Sequence, residues 1–340
     1  MKKAKYTVAV VGATGAVGAE MIKVLEERDF PVQRLVPLAS ERSLGRSVTY
    51  MEKDIPVEVL GNDSFKGVDI ALFSAGGGVS REFAPIAAAS GAVVVDNTSA
   101  FRMDPDCPLV VPEVNPGDLA DWAKKRIIAN PNCSTIQMLV AIAPLHREAC
   151  VRRIVVSTYQ AVSGAGIEAM EELSKQAVAL FSGGQLKTEV FPYRIAFNCI
   201  PHIGKFLEDG STEEEQKMVQ ETVKIMGDPD IRVAATTVRV PVFCGHSESI
   251  NVEFADPITP ERAREILKDS PGVEVVDDPS LCKYPLAINA TGKDPVYVGR
   301  IRKDGSVENG LAMWVVSDNL RKGAALNAVQ IAEIMIKEHI

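Results

Sequence analysis

A chain of 340 residues that is 46% hydrophobic and 24% charged has the composition of an ordinary globular protein and enough length for two domains, each with its own core. Its formal charge of −8, with no long run of lysine or arginine, speaks against nucleic acid or an anionic membrane as a partner, and no apolar segment is long enough to span a bilayer. The six cysteines, at 107, 133, 150, 199, 244 and 282, have no metal-type spacing; neither a metal site nor a disulfide framework is expected, and a reducing, cytoplasmic setting suits them.

Met1-Lys2-Lys3-Ala4-Lys5 is basic, but the apolar run after it breaks at Gly12, so no signal peptide is expected. Residues 7–11 form a continuous β-branched run, the mark of a strand buried on both faces. Gly12-Ala13-Thr14-Gly15-Ala16-Val17-Gly18 follows at once, and residues 20–28 continue with helical periodicity. Strand, glycine turn and helix is the context in which a dinucleotide pyrophosphate meets a helix N-terminus, with glycines permitting the close approach. Gly12, Thr14, Gly15, Ala16 and Val17 are the expected cofactor contacts, although the spacing is G-x-x-G-x-x-G and not G-x-G-x-x-G.

A second strand is expected over 34–38. The segment leaving it carries Ser40, Arg42 and Ser43, donors suited to the 2′-phosphate of NADP; Glu41 is the contrary sign, since an acidic residue here suits the ribose hydroxyl of NAD. Residues 68–73 give another strand, ending near Gly76-Gly77-Gly78, where a backbone lining for the cofactor is expected at Gly76. A helix to about 90 and a strand over 92–96 lead to Arg102, which alone reads as a solvated arginine and beside an anion site as a clamp.

The short apolar run 126–129 then enters Asn130-Pro131-Asn132-Cys133-Ser134-Thr135, and residues 136–143 read as a buried helix. Cys133 is thereby placed at a strand-to-helix turn, where free N–H groups and the positive end of the helix dipole favour thiolate. The same N–H groups suit an oxyanion formed when sulfur attacks a carbonyl. The bland alternative is a small buried hydrophobe.

Beyond residue 150 the pattern becomes that of a mixed, largely antiparallel sheet. Strands are expected over 153–159, 233–242, 246–254, 296–301 and 311–316, the third with one wet face. Gln160-Ala161-Val162-Ser163-Gly164-Ala165-Gly166 makes a turn before a helix to about 181, and Ser211 or Thr212 caps a helix opening at Glu213-Glu214-Glu215-Gln216-Lys217. Glu214 and Lys217 share a helix face, which on its own reads as a surface ion pair of little worth. Of four histidines, His339 is terminal and His146 lies far along the helix begun at Cys133; pattern leaves His202 and His246 level as the general base.

The motifs Gly12-x-x-Gly15-x-x-Gly18, Asn130-Pro-Asn-Cys133-Ser-Thr, Gln160-Ala-Val-Ser-Gly-Ala-Gly166, Arg239-Val-Pro-Val-Phe-Cys-Gly-His246-Ser and Asp318-Asn-Leu-Arg-Lys-Gly-Ala-Ala-Leu-Asn-Ala-Val-Gln330, in this order over essentially the whole chain, resemble the aspartate-β-semialdehyde dehydrogenase family. The resemblance implies Cys133 as a thioester-forming nucleophile, His246 as acid/base and Gln160 as orienter of the acyl group. It implies Arg239 at the substrate carboxylate, Glu214 at its ammonium, and Lys217 and Arg102 at the phosphate, with Asn132 also at the substrate and Gly164 and Asn319 at the cofactor. It further implies NADP, a small acyl-phosphate substrate, and a homodimer or homotetramer. The expected architecture is a Rossmann-type doubly wound parallel sheet over 1–132 with a closing helix over 323–340, and an α+β catalytic and dimerisation domain over 133–322.

Overall fold

The computed structural model describes residues 3–340; Met1 and Lys2, the start of the basic N-terminal stretch, lie outside the described residues. The chain forms two units, one running to Asn132 and completed by Ala324–Ile340, the other Cys133–Gly323.

The first unit contains β1 (Tyr6–Val11), α1 (Ala16–Glu27), β2 (Val32–Ala39), the hairpin of β3 (Ser47–Tyr50) and β4 (Lys53–Pro56), β5 (Glu58–Val59), β6 (Ile70–Phe73), α2 (Gly77–Ala89), β7 (Val93–Asp96) and β8 (Ile127–Ala129). The sheet order is β5-β2-β1-β6-β7-β8, and every neighbouring pair is parallel. Alternation along β1 shows why the run is apolar throughout. Val8 and Val10 pack with Met21, Ile22 and Leu25 of α1, whereas Ala9 and Val11 pack with Ala84 and Ala87 of α2 on the other face. The sheet is therefore doubly wound. The strand order reverses at β1, with β2 on one side and β6 on the other, and Gly12 and Gly76 follow the carboxyl ends of those central strands.

The second unit contains α3 (Cys133–Ala149), β9 (Val151–Gln160), α4 (Ile167–Ser182), α5 (Glu213–Met226), β10 (Arg232–Arg239), β11 (His246–Phe254), α6 (Pro260–Lys268), β12 (Val273–Val275), α7 (Ala287–Ala290), β13 (Val296–Lys303) and β14 (Gly310–Ser317). Its sheet order is β10-β9-β11-β14-β13-β12. The three central pairings are antiparallel and the two outer ones parallel, and α3 packs against β9, β11, β13 and β14. β10 stops at Arg239, short of the expected 242, because Pro241 has no N–H for a ladder. The closing helix α8 (Leu326–Ile334) belongs to the first unit and packs on α1 and β7.

Candidate active site

In the first unit the glycine turn is built for backbone approach. Gly12 adopts φ +87°, and a Cβ there would meet Ala75 N at 3.0 Å; a Cβ at Gly18 would fall 2.1 Å from Gly12 O. Gly15 caps α1 without a side-chain hydrogen bond and no acidic residue occupies the first turn, so the helix's N-terminal amides remain available to an anion. A cleft of about 460 Å³ opens here, lined by Gly12, Thr14, Ser40, Glu41, Arg42 and Ala75 among others. Its size and donors fit a dinucleotide. Ser40 and Arg42 are exposed beside it, but Ser43 is buried with its hydroxyl 3.0 Å from that of Thr14. Ser43 thus contacts the glycine turn through Thr14. Gly76, at φ +96°, caps α2.

The turn leading to Cys133 is held from within the same unit. Arg102 is buried, not solvated; its Nε donates to Asn130 O at 2.9 Å and its Nη2 to Asn97 O at 3.0 Å. Asn130 Nδ2 donates to Asn97 Oδ1 at 2.7 Å, and Asn327 Nδ2 of α8 donates to Asn130 Oδ1 at 2.7 Å. Asn132 is buried at the end of this network.

In the second unit Cys133 is the first residue of α3, half-buried, where the helix dipole favours a thiolate. Gly323 lies against it, for a Cβ at 323 would sit 2.8 Å from Cys133 Cβ. Four strands present a polar row on the sheet face that α3 covers. Arg239 of β10 pairs in register with Gln160 of β9, and His246 of β11 with Ser317 of β14. Ser317 Oγ donates to Gln137 Oε1 of α3 at 2.7 Å, which fixes the face.

Each member of the row is held. His246 Nδ1 accepts the Ala161 N–H at 3.0 Å, and Arg239 Nη1 donates to Ala161 O at 2.7 Å. A ring whose Nδ1 accepts carries its proton on Nε2, and His246 Nε2 has no hydrogen-bond partner among the described residues. Burial first, then the Arg239 charge, pushes the His246 pKa down to about 3 against an opposing pull from Glu214, so the ring is neutral. Burial also lowers the Arg239 pKa, opposed by the negative charges of Glu214 and Cys133, and the guanidinium stays protonated.

Glu214 is 6% exposed. It accepts from Lys217 Nζ at 2.9 Å and from Gln160 Nε2 at 3.4 Å, so the pair is anchored in the site and is not the solvated ion pair that spacing alone suggested. Of the three glutamates, Glu214 is the one that meets Gln160, while Glu213 is exposed and Glu215 completes the capping box with Thr212. The two histidines have different surroundings: His202 stacks on the exposed Phe206, whereas His246 lies within the charges of Arg239 and Glu214.

Gly164 belongs to this cluster. A Cβ there would approach Arg239 Nη1 to 3.0 Å and His246 Nε2 to 3.3 Å. Asn319 is engaged inside the second unit, with Nδ2 donating to Ser163 Oγ at 2.9 Å and Oδ1 accepting from Gly245 N at 2.9 Å. Sequence reasoning missed Ala161, which acts only through its backbone and leaves no signal. It also missed Gly323, whose position in the closing motif was the available clue. The cluster combines a cysteine at a helix start, a neutral imidazole with a free N–H, a buried guanidinium and a buried carboxylate, groups suited to covalent catalysis and to holding a charged ligand.

Residues 7–122 match the family model described as "Semialdehyde dehydrogenase, NAD binding domain", and residues 142–322 that described as "Semialdehyde dehydrogenase, dimerisation domain". The chain is 60% identical to an aspartate-semialdehyde dehydrogenase of Aquifex aeolicus over 98% of each chain. Among solved structures, it superposes on aspartate semialdehyde dehydrogenase II of Vibrio cholerae, complexed with ASA, with a TM-score of 0.97 at 50% identity over 99% of this chain and 100% of that one. The Candida albicans enzyme with NADP gives a TM-score of 0.75 at 26% identity, covering 97% of this chain and 98% of the other. These likenesses extend over both units, and the chain belongs to the aspartate-semialdehyde dehydrogenase family of nicotinamide-dependent oxidoreductases.

Proposed function

We propose that this chain catalyses the NADPH-dependent reductive dephosphorylation of L-β-aspartyl phosphate to L-aspartate-β-semialdehyde and phosphate, the branch-point step towards lysine, threonine and methionine, through a thioester on Cys133. The observation that carries the reading is Cys133 at the start of α3 together with the buried Arg239, Glu214 and His246, which feel one another's charge.

The roles follow from the donors present. Arg239 pairs with the substrate α-carboxylate and Glu214 with its ammonium, while Lys217 and Arg102 hold the phosphate and Asn132 lines the substrate. The Cys133 thiolate attacks the acyl carbon, the C–S bond forms, and the oxyanion collapses with loss of phosphate to leave the thioester. Gln160 and the α3 N-terminal amides orient the acyl oxygen, and the His246 Nε2–H donates to it as charge develops. When bound, the nicotinamide supplies the hydride that takes the acyl group to the aldehyde level. Cys133 then departs as the thiolate that the helix dipole favours, and the aldehyde is released. Gly12, Thr14, Gly15, Ala16, Val17 and Gly76 hold the cofactor's phosphates, Ser40 and Arg42 its 2′-phosphate; Gly164 and Asn319 are assigned to its nicotinamide end. The second unit, matched by a dimerisation-domain family model, forms a homodimer in the cytosol.

The test is phosphate-dependent reduction of NADP by L-aspartate-β-semialdehyde, run beside N-acetyl-glutamate-γ-semialdehyde. Turnover of the first aldehyde alone, lost in Cys133→Ala, is expected. Full activity in that variant sinks the thioester. For the cofactor, Arg42→Ala raises KM for NADP about tenfold, the worth of one charged hydrogen-bonded contact, and leaves KM for NAD unchanged; equal effects on both would remove the 2′-phosphate assignment.

A further inference from the structure

One pleat below the row of Arg239, Gln160, His246 and Ser317 lies a second polar row on the same face. Thr237 of β10 pairs in register with Thr158 of β9, and Thr158 with Glu248 of β11; all three are 0% exposed. Period two explains the placement, since Glu248 shares the side of His246, Ile250, Val252 and Phe254, while Ser249, Asn251 and Glu253 form the wetter side. The polar-apolar alternation read from sequence is therefore broken at this end, where two ionisable residues sit on the buried face. Glu248 faces Gln137 of α3, yet neither carboxyl oxygen of Glu248 nor Nε2 of Gln137 completes a hydrogen bond among the described residues. Gln137 stands one helical turn after Cys133, and its Oε1 is already tied to Ser317, the register partner of His246.

We propose that Glu248 and Gln137 form a positioning pair, in which Glu248 is a neutral carboxylic acid that sets the height of the Cys133 helix above the His246 strand. This rests on the nucleophile and acid/base roles assigned above. Two unpartnered buried groups that face each other across a helix–sheet interface reach satisfaction by a small approach of α3 to β11. The carboxyl accepts from Gln137 Nε2 through its carbonyl oxygen and, being protonated, keeps a donor for Gln137 Oε1 or Thr158 Oγ1. Burial raises the Glu248 pKa well above the usual carboxylate range, with Gln137 opposing. The charged and titratable groups that bear on it are His246 on its own strand, Arg239 and Glu214 at the row above, and Cys133 at the start of α3. None of these charges contributes to its shift, so the Gln137 amide alone favours its anion, against burial.

The experiment follows kcat and KM for aspartate semialdehyde, and the pH profile of iodoacetamide alkylation at the Cys133 peptide, in wild type, Glu248→Gln, Glu248→Leu, Gln137→Leu and the double Glu248→Leu/Gln137→Leu. Glu248→Gln, which keeps both a donor and an acceptor, is expected to hold kcat within about threefold. Glu248→Leu lowers kcat at least about tenfold at unchanged KM and shifts the alkylation profile, because misplacement of a nucleophile is read in kcat. The double variant is no worse than either single one, as for residues that act through one contact. Infrared difference spectra of wild type minus Glu248→Gln at about pH 6, above the usual carboxylate range, show a protonated-carboxyl C=O band. A folded Glu248→Leu with wild-type kcat and alkylation profile overturns the pair, as do multiplicative single effects or a carboxylate band in place of the acid. If wild type fails to turn over the aldehyde while the alkylation and infrared results hold, the functional assignment falls and the pair stands.

Discussion

At position 164 the site has no room for a methyl group, since an added Cβ would lie 3.0 Å from Arg239 Nη1 and 3.2 Å from His246 Cε1. The backbone there does not need φ above zero, so Gly164→Ala displaces side chains without straining the chain. Its kcat/KM is expected to fall between about ten- and a hundredfold, the scale of an ångström-sized misplacement, with the melting temperature within a degree or two of wild type; a loss of stability in place of activity would refute the crowding argument. His246 gives a second residue-scale test. Its pKa is about 3 in the fold against about 6.5 unfolded, so between these values the unfolded chain binds the extra proton. Stability therefore declines as pH falls below about 6.5, by up to about 1.4 kcal/mol per unit for this one group. Comparing urea midpoints of wild type and His246→Gln from pH 7 to 5 should show the steeper decline in wild type, and parallel profiles would contradict a buried neutral ring.

The helix α5 separates stability from chemistry in adjacent residues. Glu215 Oε2 accepts from Thr212 N at 2.8 Å and Oε1 from Thr237 N at 3.0 Å, while Thr212 Oγ1 accepts from Glu215 N. Glu215→Ala thus unmakes a capping box and the tie between α5 and β10, at a cost of about 1–3 kcal/mol by denaturant titration. Glu214→Gln, one residue away, is expected to leave stability nearly unchanged and to raise KM for the aldehyde tenfold or more, since the proposed function sets its charge against the substrate ammonium. Equal effects in both assays would mean that one residue does both jobs. The capping box was legible because Thr212 and Glu215 stand in a fixed local spacing, and the buried strands β1 and β6 because nothing but a doubly covered strand needs Val-Ala-Val-Val or Ile-Ala-Leu-Phe. Pattern alone did not choose Glu214 over Glu215, or His246 over His202; those choices came only from the family resemblance, for they depend on which residue of another element lies opposite. Glu248 escaped for the same reason: alternation says which residues share a face, not that a glutamate can occupy the dry one.

The chain leaves its first unit at Asn132 and completes it only with Ala324–Ile340, so that unit's core is closed by residues that follow the whole of the second unit. Val329, Ile331 and Met335 are fully buried in the cluster that also holds Val8, Val10 and Leu25, and Arg28 forms a two-bonded pair with Glu333 at 2.7 and 2.8 Å. Two substitutions in α8 should therefore behave differently. Ile331→Ala removes only packing and costs about 2–5 kcal/mol, a large part of a net stability of about 5–15 kcal/mol, with kcat intact below the unfolding transition. Asn327→Ala strips the donor from Val110 O, 3.0 Å away, and from Asn130 Oδ1, 2.7 Å away and 197 positions earlier in sequence. Asn130 in turn holds Asn97, and its carbonyl holds Arg102, three residues ahead of Cys133. Releasing that network loosens both Arg102 and the turn that leads to Cys133; with the roles proposed for these two residues, Asn327→Ala is expected to lower kcat and to raise KM for phosphate in the reverse reaction by about tenfold each, beyond any loss of stability. Steady-state kinetics well below the melting transition of each variant decide the matter: were Asn327→Ala to lose stability alone, as Ile331→Ala does, the C-terminal segment would be a core element and nothing more.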